Sequence, residues 1–125
     1  MKERIISHND LNVFKHSFDA GMAVYHISKS FPKEEVYSLT DQIRRSSRSV
    51  SGNIAEAWRK RRYEKAFIAK LNDAEGEVAE TQVWLKYSRA CEYIDEDVFC
   101  QLDAQYEHII GMIVNMIINP KKWIL

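Results

Sequence analysis

Only four glycines and two prolines punctuate the 125 residues, so the chain has few places at which it can turn sharply. An all-β sandwich or barrel needs a turn signal every ~8–12 residues and is disfavoured on that count. Disorder is disfavoured by a hydrophobic content of 46%, because disordered chains lack apolar side chains to bury. What remains is one domain of long helices, in a chain long enough to hold a core without disulfides or a structural metal.

Apolar periodicity divides the sequence into four segments. The first follows the candidate caps Asn9 and Asp10 and places Leu11, Phe14, Phe18, Met22 and Tyr25 on one stripe, the pattern of an amphipathic helix. It should stop before Pro32, which suits a new first turn that Glu34 and Glu35 also favour. The second carries Val36, Leu39, Ile43, Val50, Ile54 and Ala57, with Ser46 and Ser47 filling the register. The third aligns Phe67, Leu71, Ala74, Val78, Thr81, Leu85 and Ser88. Asp95 caps a fourth, with Val98, Leu102, Tyr106, Ile109 and Ile113 as its stripe and Pro120 as its stop. The predicted helices cover about residues 10–30, 33–61, 63–91 and 95–119. Joined by short connections, they predict an all-α, antiparallel up-down four-helix bundle.

The end of the fourth segment, Ile109 to Ile118, has almost no polar side. It is shorter than the ~20 residues a membrane span requires, so burial on both sides is expected, by its own core and by another chain. That predicts a homo-oligomer. Ile110, Val114, Ile117 and Trp123 are interface candidates, joined by Asn53 and Glu56, polar groups beside the second stripe that would set register. The competing arrangement folds the tail Lys121 to Leu125 back over the exposed side.

The formal net charge of zero hides a segregation. Arg44, Arg45, Arg48, Arg59, Lys60, Arg61, Arg62 and Lys65 outnumber Glu56 and Glu64 between residues 44 and 65, whereas from residue 72 to 107 ten acidic residues face only Lys86 and Arg89. Arg59-Lys60-Arg61-Arg62, flanked by Trp58 and Tyr63, offers phosphate neutralisation beside flat rings, the chemistry of a nucleic-acid contact. Arg44, Arg45 and Arg48 form a second patch, some 15 Å away along a helix. The alternative for these cations is pairing with Glu77 and Glu80, within a subunit or across an interface.

No catalytic group is legible. The Glu-x-x-His pairs of a di-iron bundle are missing, and no His-x-x-x-His occurs, so His8, His16, His26 and His108 read as surface or interface groups and no metal is expected. The isolated glycines build neither a phosphate loop nor a nucleophile elbow, and no histidine lies near Ser46, Ser47, Ser49 and Ser51 to activate one. No cofactor and no enzymatic activity are expected. Cys91 and Cys100 fit no redox or zinc spacing and read as free, largely buried thiols. Met1-Lys2-Glu3-Arg4 opens no secretory signal, which makes the cytoplasm the expected compartment, with no membrane partner.

The stretch Leu39 to Glu56, and above all Asn53-Ile54-Ala55-Glu56, resembles the four-helix bundle protein family, also called the ribosomal RNA intervening-sequence proteins. Pro32, Phe67-Ile68 with Leu71, Ala74 and Gly76 with Glu80, and Tyr93-Ile94 extend the match over nearly the whole chain. Ala57 stands where glycine is usual and Glu77 where serine is usual. The resemblance implies a small, non-enzymatic bacterial protein forming a homo-pentameric barrel. It is similar in this to an accessory protein of diversity-generating retroelements that works with a reverse transcriptase and binds nucleic acid through a basic surface. Carried over by charge, that role falls on Arg44, Arg45, Arg48, Arg59, Lys60, Arg61 and Arg62, with structured RNA as the expected partner. A protein-interaction scaffold without a nucleic-acid role is the alternative.

Overall fold

The computed structural model describes residues 4–125 and contains four long helices: α1 (Asn12–Ser28), α2 (Leu39–Arg59), α3 (Glu64–Ala90) and α4 (Glu96–Ile118). Each packs on its sequence neighbour and α4 closes against α1, giving the up-down four-helix bundle. Among the described residues there is no strand. The helices are shorter than the periodicity suggests, for local reasons. Ser7 and Asp10 form a capping box on a short 3-10 turn, His8–Asp10, so α1 starts only at Asn12. Pro32 opens another 3-10 turn, Lys33–Glu35, rather than α2 itself. The Glu35 carboxylate accepts bonds from the Ser38 hydroxyl (2.5 Å) and the Leu39 amide (3.3 Å), fixing the start of α2 there.

α2 and α3 place their apolar stripes in the core as the spacing predicts. Leu39, Ile43, Val50, Ile54 and Ala57 are buried, as are all seven residues of the α3 stripe. Val36 lies outside α2 and is exposed. The hydroxyls between the stripes are satisfied: Thr81 donates to Ser46 at 2.8 Å, so a buried polar pair joins α2 to α3 without leaving an orphan. α3 ends with Glu92 at φ 64°, the left-handed position usually held by glycine, and the Tyr93 amide reaches back to the Ser88 carbonyl at 2.9 Å. Asp95 then caps α4 by accepting from the Val98 amide at 2.8 Å.

α1 departs from its expected orientation. Leu11, just before the helix, is buried as the stripe predicts, but within α1 Val13, Ser17, Ala20, Val24 and Ser28 face the core, whereas Phe18 and Met22 are 53% and 40% exposed and Phe14 and Tyr25 half-buried. The cause is a close approach. Ser17 and Ser51 hydroxyls lie 3.0 Å apart, and a Cβ on Gly21 would make ordinary contact, 3.8 Å, with the Ser47 carbonyl, so α1 and α2 meet through small residues at this level. The larger side chains are displaced outward. With Ser47, Arg48, Ser51, Gly52 and Ala55 of α2 they line an open groove of about 360 Å³.

Two further expectations are corrected. Cys91 and Cys100 are both exposed: Cys91 follows the last turn of α3, and Cys100 lies on the outer side of α4, 3.4 Å from the Glu96 carboxylate. The end of α4 is covered in part by its own tail. After Pro120–Lys122 the chain folds back, and Trp123 and Ile124 pack against the core, Trp123 lining a cleft with Met112, Asn115 and Met116. Ile118 stays 69% exposed and Val114 half-buried.

Candidate nucleic-acid interface

The helix order brings the C-terminal ends of α2 and α4 to the same end of the bundle as the N-terminal ends of α1 and α3. Arg59, Lys60, Arg62 and Lys65 emerge there from the α2–α3 turn, exposed to solvent. The tail adds two cations absent from the sequence reading. The Leu125 amide donates to the Arg61 carbonyl at 3.1 Å, and this holds exposed Lys121 and Lys122 near the turn.

Arg61, expected among the phosphate contacts, is instead the fastening of this assembly. Its guanidinium lies 3.3 Å over the Trp58 ring, and its Nε donates to the Trp58 carbonyl at 2.8 Å. Nη1 donates to the Trp123 carbonyl at 3.4 Å. Burial, then the charge of Arg59, pulls its pKa below the usual arginine value. Trp58 is only 6% exposed and its face is occupied by Arg61, so it offers no ring to an unstacked base. Tyr63, 67% exposed, remains free to do so.

The opposite end has the reverse charge. Lys29, Lys33, Lys86 and Arg89 are outnumbered there by Glu34, Glu35, Asp41, Glu92, Asp95, Glu96 and Asp97, and Arg89 is engaged with Glu96 at 2.8 Å. Glu35 also accepts from the Tyr93 hydroxyl at 2.8 Å. The Ser38 and Tyr93 hydroxyls, followed by the Leu39 amide, hold the Glu35 carboxyl below its ordinary range, while Tyr93 is pushed up to about 12, chiefly by Glu35. The two ends of the bundle therefore differ in charge, and the field at the α2–α3 turn is the one that favours a polyanion.

Arg44, Arg45 and Arg48 do not join the basic end. About 16 Å of helix separates Arg48 from Arg59. Arg44 donates to the Ser28 hydroxyl at 2.8 Å with its guanidinium 5.0 Å over Tyr25, and Arg45 stands 4.0 Å from Asp41. Arg48 is exposed on the rim of the α1/α2 groove. Among the described residues no arginine pairs with Glu77 or Glu80. Glu56 is engaged by Lys70 at 2.8 Å, which holds its carboxyl below the ordinary range, and the Asn53 amide donates to the Ser49 carbonyl at 2.9 Å.

His16 of α1 and His108 of α4 meet edge-on at 5.1 Å in a shallow cleft with Asp19 and Gln105. Among the described residues no three His, Cys, Asp or Glu side chains are grouped to hold a metal ion. Among them, too, no helix is long and apolar enough to cross a membrane.

Comparison with known proteins bears on the fold and the family. The family model described as 23S rRNA-intervening sequence protein matches residues 9–115. The crystal structure of a protein with unknown function from the S23 ribosomal protein family of Bacteroides thetaiotaomicron superposes with a TM-score of 0.76 at 26% identity. The match covers 84% of this chain and 97% of that one. No curated protein sequence matches.

Proposed function

The chain belongs to the 23S rRNA-intervening sequence protein family, and from that premise we propose that it acts without catalysis, as a self-associating bundle that contacts the phosphates of structured RNA. The observation that carries this reading is the basic end. Arg59, Lys60 and Arg62 are exposed there with Lys121 and Lys122, and among the described residues no carboxylate within ion-pairing distance offsets them. Unpaired lysine and arginine clustered on one end of a neutral protein favour phosphate, because each neutralised phosphate releases condensed counterions. Tyr63 supplies a ring for an unpaired base at the same end.

Self-association, with the pentamer that the family resemblance implies, is supported by Phe18 and Met22, large apolar side chains left at the surface on one stripe. Copies arranged in parallel would present several basic ends to one RNA. Such multivalency raises apparent affinity without new contacts. The cytoplasm is the compartment in which such a partner is met.

The test is a fluorescence-anisotropy titration against a structured bacterial RNA at several salt concentrations. Binding is expected to weaken with a log–log slope of ~0.7–0.9 per neutralised phosphate, and R59Q/K60Q/R62Q should lower that slope by about 2 while leaving the assembly intact. Absence of binding at low salt would refute the reading and favour the scaffold alternative, in which the exposed groove takes a protein.

A further inference from the structure

The α1/α2 groove and the acidic side of α3 are two unsatisfied surfaces of opposite character on one chain. Phe18 and Met22 stand on the groove's wall with Arg48 on its rim. Among the described residues Arg48 has no carboxylate partner, and Glu77 and Glu80 have no cation. Burial, and then the neighbouring Glu80, raises the Glu77 carboxyl above its ordinary range, as expected where negative charges crowd. Within one chain the surfaces cannot meet, because they lie on different sides of the bundle: one on α1 and α2, the other on the outer side of α3.

We infer that the groove seats the outer side of α3 from a second copy of this chain, around Gly76, Ala79 and Glu80, with Arg48 meeting Glu80 across the contact. This rests on the self-association reading and specifies which surfaces carry it. Three observations support the pairing. The first is register. Ser17 meets Ser51 at 3.0 Å and Thr81 meets Ser46 at 2.8 Å, and counting along the antiparallel helices from these contacts sets Phe18 and Met22 level with the α3 stretch from Gly76 to Thr81. Arg48 is level with Ala79. Copies related by rotation about an axis along the bundle keep their levels, so the protruding ridge of one copy arrives opposite this stretch of the next.

The second is shape. A Cβ at Gly76 would meet no atom within 4 Å, and Ala79 is exposed, so this part of α3 is low and open where the groove wall is high. The third is charge, since the cationic rim and the acidic flank complement each other and suppress docking of like on like. Because the two surfaces differ, the contact is head-to-tail. Such a contact generates a closed ring when its rotation closes.

Sedimentation velocity at micromolar concentration, with helix content checked by circular dichroism, tests this with wild type, F18S, R48E, E80R and R48E/E80R. All three substituted positions lie at the surface, so folding is expected throughout. F18S and each single charge reversal should weaken association by about tenfold or more, and R48E/E80R should recover it. A monomeric wild type would overturn the self-association reading itself. An oligomeric wild type with F18S unchanged would overturn this pairing alone. So would a two-fold dimer that F18S disrupts but the double reversal does not restore, because that outcome places groove against groove.

Discussion

α1 and α3 carry equally regular apolar stripes, yet they use them in opposite ways. In α3 every large side chain of the stripe enters the core. In α1 Phe18 and Met22 stay outside, Phe14 and Tyr25 are half-buried, and Val13, Ser17, Ala20 and Val24 enter the core. The difference follows from helix spacing. α2 and α3 leave room for Phe67 and Leu85 between them and their neighbours, whereas α1 sits so near α2 that hydroxyls touch across the seam. An apolar stripe marks a side that is to be dehydrated, and the distance to the neighbouring helix decides whether the chain's own core or another molecule does it.

The sharpest way to break this comparison is to truncate one aromatic from each stripe. F67A should cost about 3–5 kcal/mol in chemical denaturation, since it empties a fully buried site. F18A, measured at a concentration low enough to dissociate the protein, should stay within about 0.5 kcal/mol of wild type. Equal losses would mean that both stripes are core. A smaller effect is expected at the basic end. R61A should cost about 1–2 kcal/mol by removing the stack on Trp58 and its carbonyl bonds. It should also weaken RNA binding by more than one charge accounts for, because Lys121 and Lys122 lose their anchorage. Anisotropy titrations of R61A beside K121Q/K122Q measure that share.

At the far end of α3, E92G should raise stability by about 1 kcal/mol, relieving a side chain held at φ 64°. The smallest effect is one of pH. Glu35 is held below its ordinary value of 4.5, so its contribution is present above that value and fades as the pH falls through the lowered one. Y93F removes one of the bonds responsible, and its stability profile should flatten on the acid side relative to wild type.

The fold was legible because few residues interrupt the periodicity and because Ser46 and Ser47 hold the α2 register without breaking it. Asp95 marked the start of α4 correctly. The orientation of α1 was not legible: Val13, Ser17, Ala20, Val24 and Ser28 repeat at the same three- and four-residue spacing as the larger set beside them. Periodicity alone gives two stripes and favours the bulkier one. At the basic end the run Arg59 to Arg62 stood out, but not that Arg61 turns inward or that Lys121 and Lys122 join it. That depends on bonds spanning some sixty positions of sequence, which no local pattern encodes.

If the outward stripe of α1 is dehydrated by another copy, the mass of the protein in solution must show it. Multi-angle light scattering on wild-type protein across a micromolar concentration series is the direct measurement. The account predicts one species heavier than the 14.7 kDa chain that persists on dilution into the low micromolar range. A 14.7 kDa monomer throughout would contradict it.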